Sequence, residues 1–270
     1  MRILKTSLKI FLILTIFLLI IYSSVFLIAK ALPKLEIKEA NNFYLYDSNK
    51  KLYTSSNEDW IKLKDISPDL INATISIEDK HFYKHQGFDF LRIIKALYIN
   101  ITNHKTLQGA STISQQYTKN LFLDFDKKWN RKLEEAWLTV KLEAHYSKDE
   151  ILEGYLNTIN YGGIYGIKNA SKYYFNKSAD NLTLAEASML AGIPKWPSKY
   201  SPLINEKAAK ERQKTILKSM VLNNYISEKE YNNALNEKLV YYGKKDENGS
   251  KTIMYYQDAV FEELSSIKTI

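Results

Sequence analysis

The sequence predicts a mainly α-helical fold, one helical domain behind an N-terminal membrane-crossing helix. Three observations predict it. Serine, threonine or aspartate recurs at helix-start positions, three times with a glutamate three residues on. Apolar residues recur at intervals of three and four. No series of alternating strands and helices, internal repeat or low-complexity tract interrupts this pattern. The 270 residues are 45% hydrophobic and 25% charged, which excludes disorder over most of the chain. Cysteine is absent, so disulfide frameworks, thiolate nucleophiles and cysteine-ligated zinc or iron–sulfur sites are excluded. Any chemistry must come from carboxylates, histidines, lysines or hydroxyls.

The elements follow in order. Arg2, Lys5 and Lys9 precede Ile10 to Ala29, which carries no charge. A helix of that length rises about 30 Å, enough for a hydrocarbon core. Residues 1–9 are therefore expected on the cytoplasmic side and 10–31 as a signal anchor. The alternatives are a buried core helix or a cleaved signal peptide with Ala29-Lys30-Ala31 as its small-x-small site, but the run exceeds the usual signal-peptide core of about 7–15 residues. Residues 32–66 read as a juxtamembrane segment with a hairpin, Phe43 to Tyr46 and Lys51 to Tyr53 around Asp47-Ser48-Asn49. The helical domain is expected over 67–240. Ser67-Pro68 opens one helix, and Asp89 caps another in which Phe90, Ile93, Ile94, Leu97 and Ile101 share a face. Ser147 with Glu150, Thr183 with Glu186 and Ser227 with Glu230 fit the capping box. Gly192 and Pro194 stop the helix that Thr183 starts. Residues 241–270 form a tail with an amphipathic stretch from Met254 to Leu264.

Five segments concentrate side chains able to do chemistry. Ile77 to Asp89 holds Glu78, Asp79, His81, His85 and Gly87. Glu78, behind apolar Ile75 and Ile77, reads as a partly desolvated general base of raised pKa. The same stretch also reads as a glycine-capped helix end, or as a metal site if His81 and His85 share a helix face with Glu78. The metal reading lacks a third ligand and the glutamate that follows the first histidine in zinc-protease helices. Gln108 to Asn120 brings small and hydroxyl residues to a helix start, where exposed amides suit an anionic oxygen or a sugar hydroxyl. Arg131, Lys132 and Glu135 share a face of a helix running to about His145, either as surface ion pairs or as a pyrophosphate site in a cleft. Asn160 to Ile167 is a glycine-rich loop without the Gly-Lys-Ser/Thr of a nucleotide P-loop. Leu190 to Pro202 places Lys195 and Ser198 on a proline-stiffened loop.

In this order the segments resemble the five signature motifs of the peptidoglycan glycosyltransferases, glycosyltransferase family 51, over roughly Ile66 to Leu222. The motif Glu-Asp-x-x-Phe-x-x-His-x-Gly-x-Asp is met at every fixed position from Glu78 to Asp89. The second is met at Gly109, Ser111, Thr112, Gln115, Gln116, Lys119 and Asn120, with Gln108 where the family often has glycine. Arg131-Lys132-x-x-Glu135, continuing through Glu143, Lys148, Tyr155 and Asn157, resembles the third. Tyr161-Gly162 with Tyr165-Gly166-Ile167, and Ala191-Gly192 with Pro194, Pro197, Tyr200 and Pro202, supply the last two.

The resemblance implies a lysozyme-like helical glycosyltransferase domain with a small jaw lobe near the membrane, whose apolar surface dips into lipid. It implies polymerisation of lipid II. The 4-hydroxyl of the acceptor N-acetylglucosamine attacks the anomeric carbon of the donor N-acetylmuramic acid, undecaprenyl pyrophosphate leaves, and the new β-1,4 bond has inverted configuration. Glu78 would be the general base, and Glu135, the other catalytic carboxylate, would sit on the donor side, positioning the pyrophosphate through a divalent cation (Mg or Mn) or a basic side chain. No organic cofactor is implied. Lys119, Arg131, Lys132 and Lys195 would offset the leaving group's charge. Ser111, Gln116, Asn120 and Ser198 would bond phosphate or sugar, and Asp79 and Thr112 join this substrate-binding set. His81 falls at a variable position of the first motif, which weakens the metal reading. The implied partners are lipid II, the growing lipid-linked strand, the cytoplasmic membrane and other cell-wall synthesis proteins, with the catalytic domain outside the membrane.

A transpeptidase needs Ser-x-x-Lys, Ser-x-Asn and Lys-Thr-Gly, and only Ser265-Ser266-Ile267-Lys268 meets the first. One activity is therefore expected, with a truncated bifunctional penicillin-binding protein as the alternative, because Tyr255 to Val260 resembles the start of the linker in such proteins. A muramidase or lytic transglycosylase using Glu78 as general acid, and a non-catalytic scaffold, are further alternatives. The formal charge of +8 narrows on inspection: the first 34 residues hold five basic groups and no acid, leaving 33 basic against 30 acidic beyond them. A nucleic-acid partner loses its support.

Overall fold

The structure, a computed structural model, describes residues 2–37, 44–46, 52–55, 60–103, 109–122 and 130–243. Gln108, the turn at Asp47 to Asn49, Met254 to Leu264, Tyr255 to Val260 and Ser265 to Lys268 lie outside these residues. The element order is α1 (Arg2–Ala31), β1 (Tyr44–Tyr46), β2 (Leu52–Ser55), α2 (Pro68–Glu78), α3 (Phe90–Thr102), α4 (Ile113–Phe122), α5 (Asn130–His145), α6 (Lys148–Thr158), α7 (Ile167–Phe175), α8 (Leu184–Leu190), α9 (Pro197–Tyr200), α10 (Glu206–Leu222) and α11 (Glu228–Asn236). The expected mainly helical architecture is present, and β1 pairs antiparallel with β2 as the hairpin predicts.

Local chemistry explains most helix boundaries. Asp89 accepts from the Arg92 amide at 3.0 Å and starts α3. The three capping boxes form as expected at the starts of α6, α8 and α11, each satisfying amides that a helix leaves unpaired. After α8 the chain turns at Gly192 into a short 3-10 turn, Ile193–Lys195, carrying Pro194. Two expectations are corrected. Ser67 stands before α2 but its side chain caps nothing; its hydroxyl donates to the Leu182 carbonyl at 3.4 Å, a tertiary bond replacing the local one. Glu78, His81 and His85 do not share a helix face, because α2 ends at Glu78 and a separate 3-10 turn, Phe82–Lys84, follows.

The core forms where α10 packs on α2 and α8, and α4 on α5 and α6. Its largest fully buried side chains include Tyr117, Tyr155, Tyr161, Tyr174, Phe82 and Phe175. The ring of Tyr117 lies against the backbone of α6 at Gly154, where a Cβ would sit 2.1 Å from its hydroxyl oxygen. Glycine costs a helix about 1 kcal/mol relative to alanine; here the close approach requires it.

Among the described residues, α1 and α3 keep extended apolar surface outside this core. Amphipathic spacing ordinarily turns a helix's apolar face inward, yet on α3 Phe90, Leu91, Ile94, Leu97, Tyr98 and Ile101 are all more than half exposed, and only Ala96 is buried. α1 runs as one helix from Arg2, so the expected cytoplasmic residues 2–9 are part of it. It packs on α5, with His145 Nε2 3.0 Å from the Ala29 carbonyl, and meets the start of α3 through Tyr22, whose ring lies edge-on to Phe90 and whose hydroxyl donates to the Gln86 carbonyl at 2.7 Å. Among the described residues no helix is long and apolar enough to cross a membrane; in α1 the side chains at 2–8, 10, 11, 14, 18 and 19 lie outside those residues.

Gly154→Ala is expected to destabilise the protein by about 1–3 kcal/mol through overpacking, against its helix propensity. Thermal unfolding checks this, and Gly154→Ala combined with Tyr117→Leu should cost less than the sum of the two single changes.

Candidate active site

Glu78 is the last residue of α2, and the next residue fixes how the chain leaves it. Asp79 is 1% exposed. Its carboxylate bonds His85 Nε2 at 3.0 Å through both oxygens and accepts from the Ile113 amide, at the first residue of α4, at 3.1 Å. A buried carboxylate is tolerable only when so satisfied, and a helix N-terminus is a favourable place for it. One side chain thereby ties the end of α2 to the start of α4.

That tie sets Glu78 beside α4, α6 and α10. Gln116 Nε2 donates to Glu78 Oε2 at 3.1 Å, and Tyr155 donates its hydroxyl to Gln116 Oε1 at 3.3 Å, which fixes the orientation of the amide. Burial, and then the charge of Glu78, holds the Tyr155 hydroxyl well above its usual range, so it remains a donor. Arg212 Nη2 lies 3.4 Å from Glu78 Oε1. Burial pushes the Arg212 guanidinium down, and Glu78 opposes that shift. Arg92 of α3 donates to the Glu78 backbone carbonyl.

Glu135, on α5, is 4% exposed. It accepts from the Lys132 ammonium and, at 3.4 Å, from Gln115 Nε2, while Gln115 Oε1 accepts from the Thr112 amide at 3.1 Å. Consecutive glutamines of α4 therefore reach the two candidate acids, Gln115 to Glu135 and Gln116 to Glu78. Adjacent helical side chains project about 100° apart, so one helix can brace two neighbours.

The remaining expected residues divide by burial. Asp79 and Thr112 are interior, and the Thr112 hydroxyl donates to the Gly87 carbonyl at 2.7 Å. Ser111, Lys119, Asn120, Lys132 and Lys195 are exposed, with Arg131 and Ser198 half-buried. Apart from Lys132, none of these seven makes a side-chain hydrogen bond or ion pair among the described residues. The expected sharing of Glu135 between Arg131 and Lys132 reduces to Lys132, which bonds the same oxygen, Oε1, that Gln115 reaches. Among the described residues no cluster of three histidine or acidic side chains could hold a metal; His81 pairs with Asp89 at 2.7 Å and His85 with Asp79. Sequence reasoning missed Arg212. It lies with Ala209, Gln213, Ile216, Leu217 and Met220 on the buried stripe of α10, and a charged residue at an apolar helical spacing was the available signal.

Burial alone would raise the Asp89 carboxyl, but the Arg92 amide and then His81 hold it below the ordinary aspartate range. With the folded-state value below the unfolded one, its stabilisation is complete above the unfolded range and is lost as pH falls through the folded value. Asp89→Ala should therefore cost about 1 kcal/mol at neutral pH. The difference from wild type should shrink on acidification below the aspartate range, measured by denaturant unfolding against pH.

Residues 47–221 match the family described as Transglycosylase. The chain is 46% identical over 249 residues to penicillin-binding protein 2D of Bacillus subtilis, covering 90% of this chain and 36% of that protein. It is 42% identical over 214 residues to penicillin-binding protein 1A of Neisseria lactamica, covering 79% of this chain and 27% of that one. The match to penicillin-binding protein 1F of Bacillus subtilis is 44% over 185 residues, covering 68% and 26%. The chain thus spans about a third or less of the length of these relatives. A family match over more than half its residues, laid over the segment that holds Glu78, Gln116 and Glu135, shows that the chain belongs to the transglycosylase family.

Proposed function

We propose that the chain polymerises lipid II into peptidoglycan glycan strands by inverting glycosyl transfer, on a lysozyme-like helical domain. The observation that carries this reading is the pair of carboxylates, Glu78 and Glu135, each braced by its own glutamine from α4. Each oxygen of Glu78 accepts one bond from the protein, one from Gln116 and one from Arg212. A carboxylate offers about four lone-pair sites, so capacity remains for the acceptor 4-hydroxyl. Glu78 takes that proton as the oxygen attacks the donor's anomeric carbon; the new β-1,4 bond forms as the bond to the pyrophosphate oxygen breaks. Lys119, Arg131, Lys132 and Lys195 neutralise the departing pyrophosphate, and Ser111, Gln116, Asn120 and Ser198 bond sugar or phosphate. Asp79 and Thr112 act from the interior, by holding α4 against the Glu78 turn.

The donor side fits a resident cation poorly. Magnesium sites use one or two carboxylates with substrate phosphates, and here the single carboxylate of Glu135 already faces the Lys132 ammonium. Basic side chains are the reading that these residues support.

The α1 helix is proposed as a single-pass anchor in a bacterial cytoplasmic membrane, with the remaining domain on its outer face. The uncharged run from Ile10 to Ala29 supports this. So does the exposed apolar face of α3, which Tyr22 joins to α1. An apolar cavity of ≈ 310 Å³ between α1, α3 and α5, lined by Tyr22, Val25, Phe90, Trp137 and Val140, continues that surface. Lipid is the phase in which such a face is buried.

Glu78→Gln should lower the rate of polymer formation from lipid II about 10²–10⁴-fold with the fold intact, as expected on loss of a general base. Normal polymerisation by this variant would reject the assignment, and release of soluble fragments from finished peptidoglycan would favour a lytic enzyme. Arg212→Met, which keeps the aliphatic stem but removes the charge beside Glu78, should lower kcat about 10²-fold by misplacing the carboxylate. Arg212→Lys should recover part of it, read from the same assay.

A further inference from the structure

The loop after α8 carries one large aromatic side chain that the catalytic reading does not use. Trp196 is 56% exposed. Its backbone is nevertheless held: its amide donates to the Ile193 carbonyl at 3.2 Å, and its carbonyl accepts from the amides of Lys199 and Tyr200, both at 2.9 Å. Pro194 lies in the turn before it and Pro197 opens α9 directly after it. An exposed indole on a fixed backbone has few torsions to lose on binding and offers a large flat surface.

The ring is also linked to Glu78 through neighbouring side chains. Lys199 Nζ lies 4.9 Å from the Trp196 ring centroid and 5.3 Å from that of Tyr200. Arg212 lies 5.8 Å from the Tyr200 ring and bonds Glu78. A continuous series of contacts thus runs from Trp196 through Lys199, Tyr200 and Arg212 to the proposed base. Lys195 and Ser198 flank the same ring in sequence. The C–H face of a pyranose is apolar while its hydroxyls project from the edge, so a sugar packs flat on indole with its polar groups still solvated or bonded. The cation of Lys199, held against the ring, biases its orientation and offers charge to an anionic substituent of that sugar.

We propose that Trp196, oriented by Lys199, is the platform on which a sugar ring of the acceptor stacks as its 4-hydroxyl is presented to Glu78. This rests on the reading of Glu78 as the acceptor's base. The test uses the full chain in detergent, as wild type, Trp196→Ala and Trp196→Phe. Initial polymerisation rates are measured against lipid II concentration at a fixed, saturating lipid-linked oligosaccharide donor. Trp196→Ala should raise KM for lipid II about tenfold, the scale of one lost stacking contact, with a much smaller change in kcat. Trp196→Phe, which keeps a ring, should restore most of that loss. An unchanged KM in Trp196→Ala, with wild type active, would overturn this assignment alone; absence of polymer from wild type would overturn the proposed function as well. The variants are also sedimented with vesicles of phosphatidylglycerol and phosphatidylethanolamine. Loss of vesicle binding by Trp196→Ala with no change of KM would assign the ring to lipid and reject the acceptor role.

Discussion

The arrangement depends on one buried carboxylate. Asp79 is held by His85 and by the first amide of α4, and the placement of α4 against Glu78 follows from that junction. A charge so deeply buried is stable only with both partners in place, because either loss would leave it uncompensated in a low dielectric. Satisfying it draws the start of α4 against the end of α2. That fixes Gln116 opposite Glu78, carries Gln115 to Glu135, and buries Thr112 under the Gly87 carbonyl. The conspicuous Glu-Asp pair of the sequence thus divides its labour: the second residue builds the turn, and the first is left half-buried beside Gln116 and Arg212.

Around this junction lies a second layer of restraint, built of hydrogen bonds and one ion pair. Arg212 and Gln116 occupy different oxygens of Glu78, and Arg92 takes its backbone carbonyl. Arg92 belongs to α3, the helix whose apolar face is exposed, while its own amide is capped by Asp89, which pairs with His81. The surface proposed to meet lipid and the base proposed to meet sugar are therefore coupled through two turns of chain. A lipid-linked substrate requires such proximity, since its polar head cannot travel far from the bilayer.

Much of the fold was legible because it is encoded locally. Asp89, Ser147, Thr183 and Ser227 announce helix starts through bonds spanning three residues, and these form as read. What escaped was set by distance along the chain. Ser67 looks like a cap, but its partner, Leu182, is 115 residues away. Arg212 lies 134 residues from Glu78, and nothing near either shows the pairing. The histidines looked like helical neighbours until the chain broke from α2 at Asp79, a break whose cause, the α4 amide, is also remote in sequence. The burial of Asp79 and Thr112 escaped for the same reason, whereas the exposure of Lys119 and Lys195 is what their charge alone leads one to expect.

The proposed reaction joins sugars at the expense of a polyprenyl pyrophosphate, with Glu78 as the base. The most direct measurement incubates the full chain with lipid II in detergent and determines both the anomeric configuration of the product and the pyrophosphate released per bond. Such a reaction yields β-1,4-linked strands with one undecaprenyl pyrophosphate released for each bond formed. An α-linked product, or bond formation without pyrophosphate release, would contradict it.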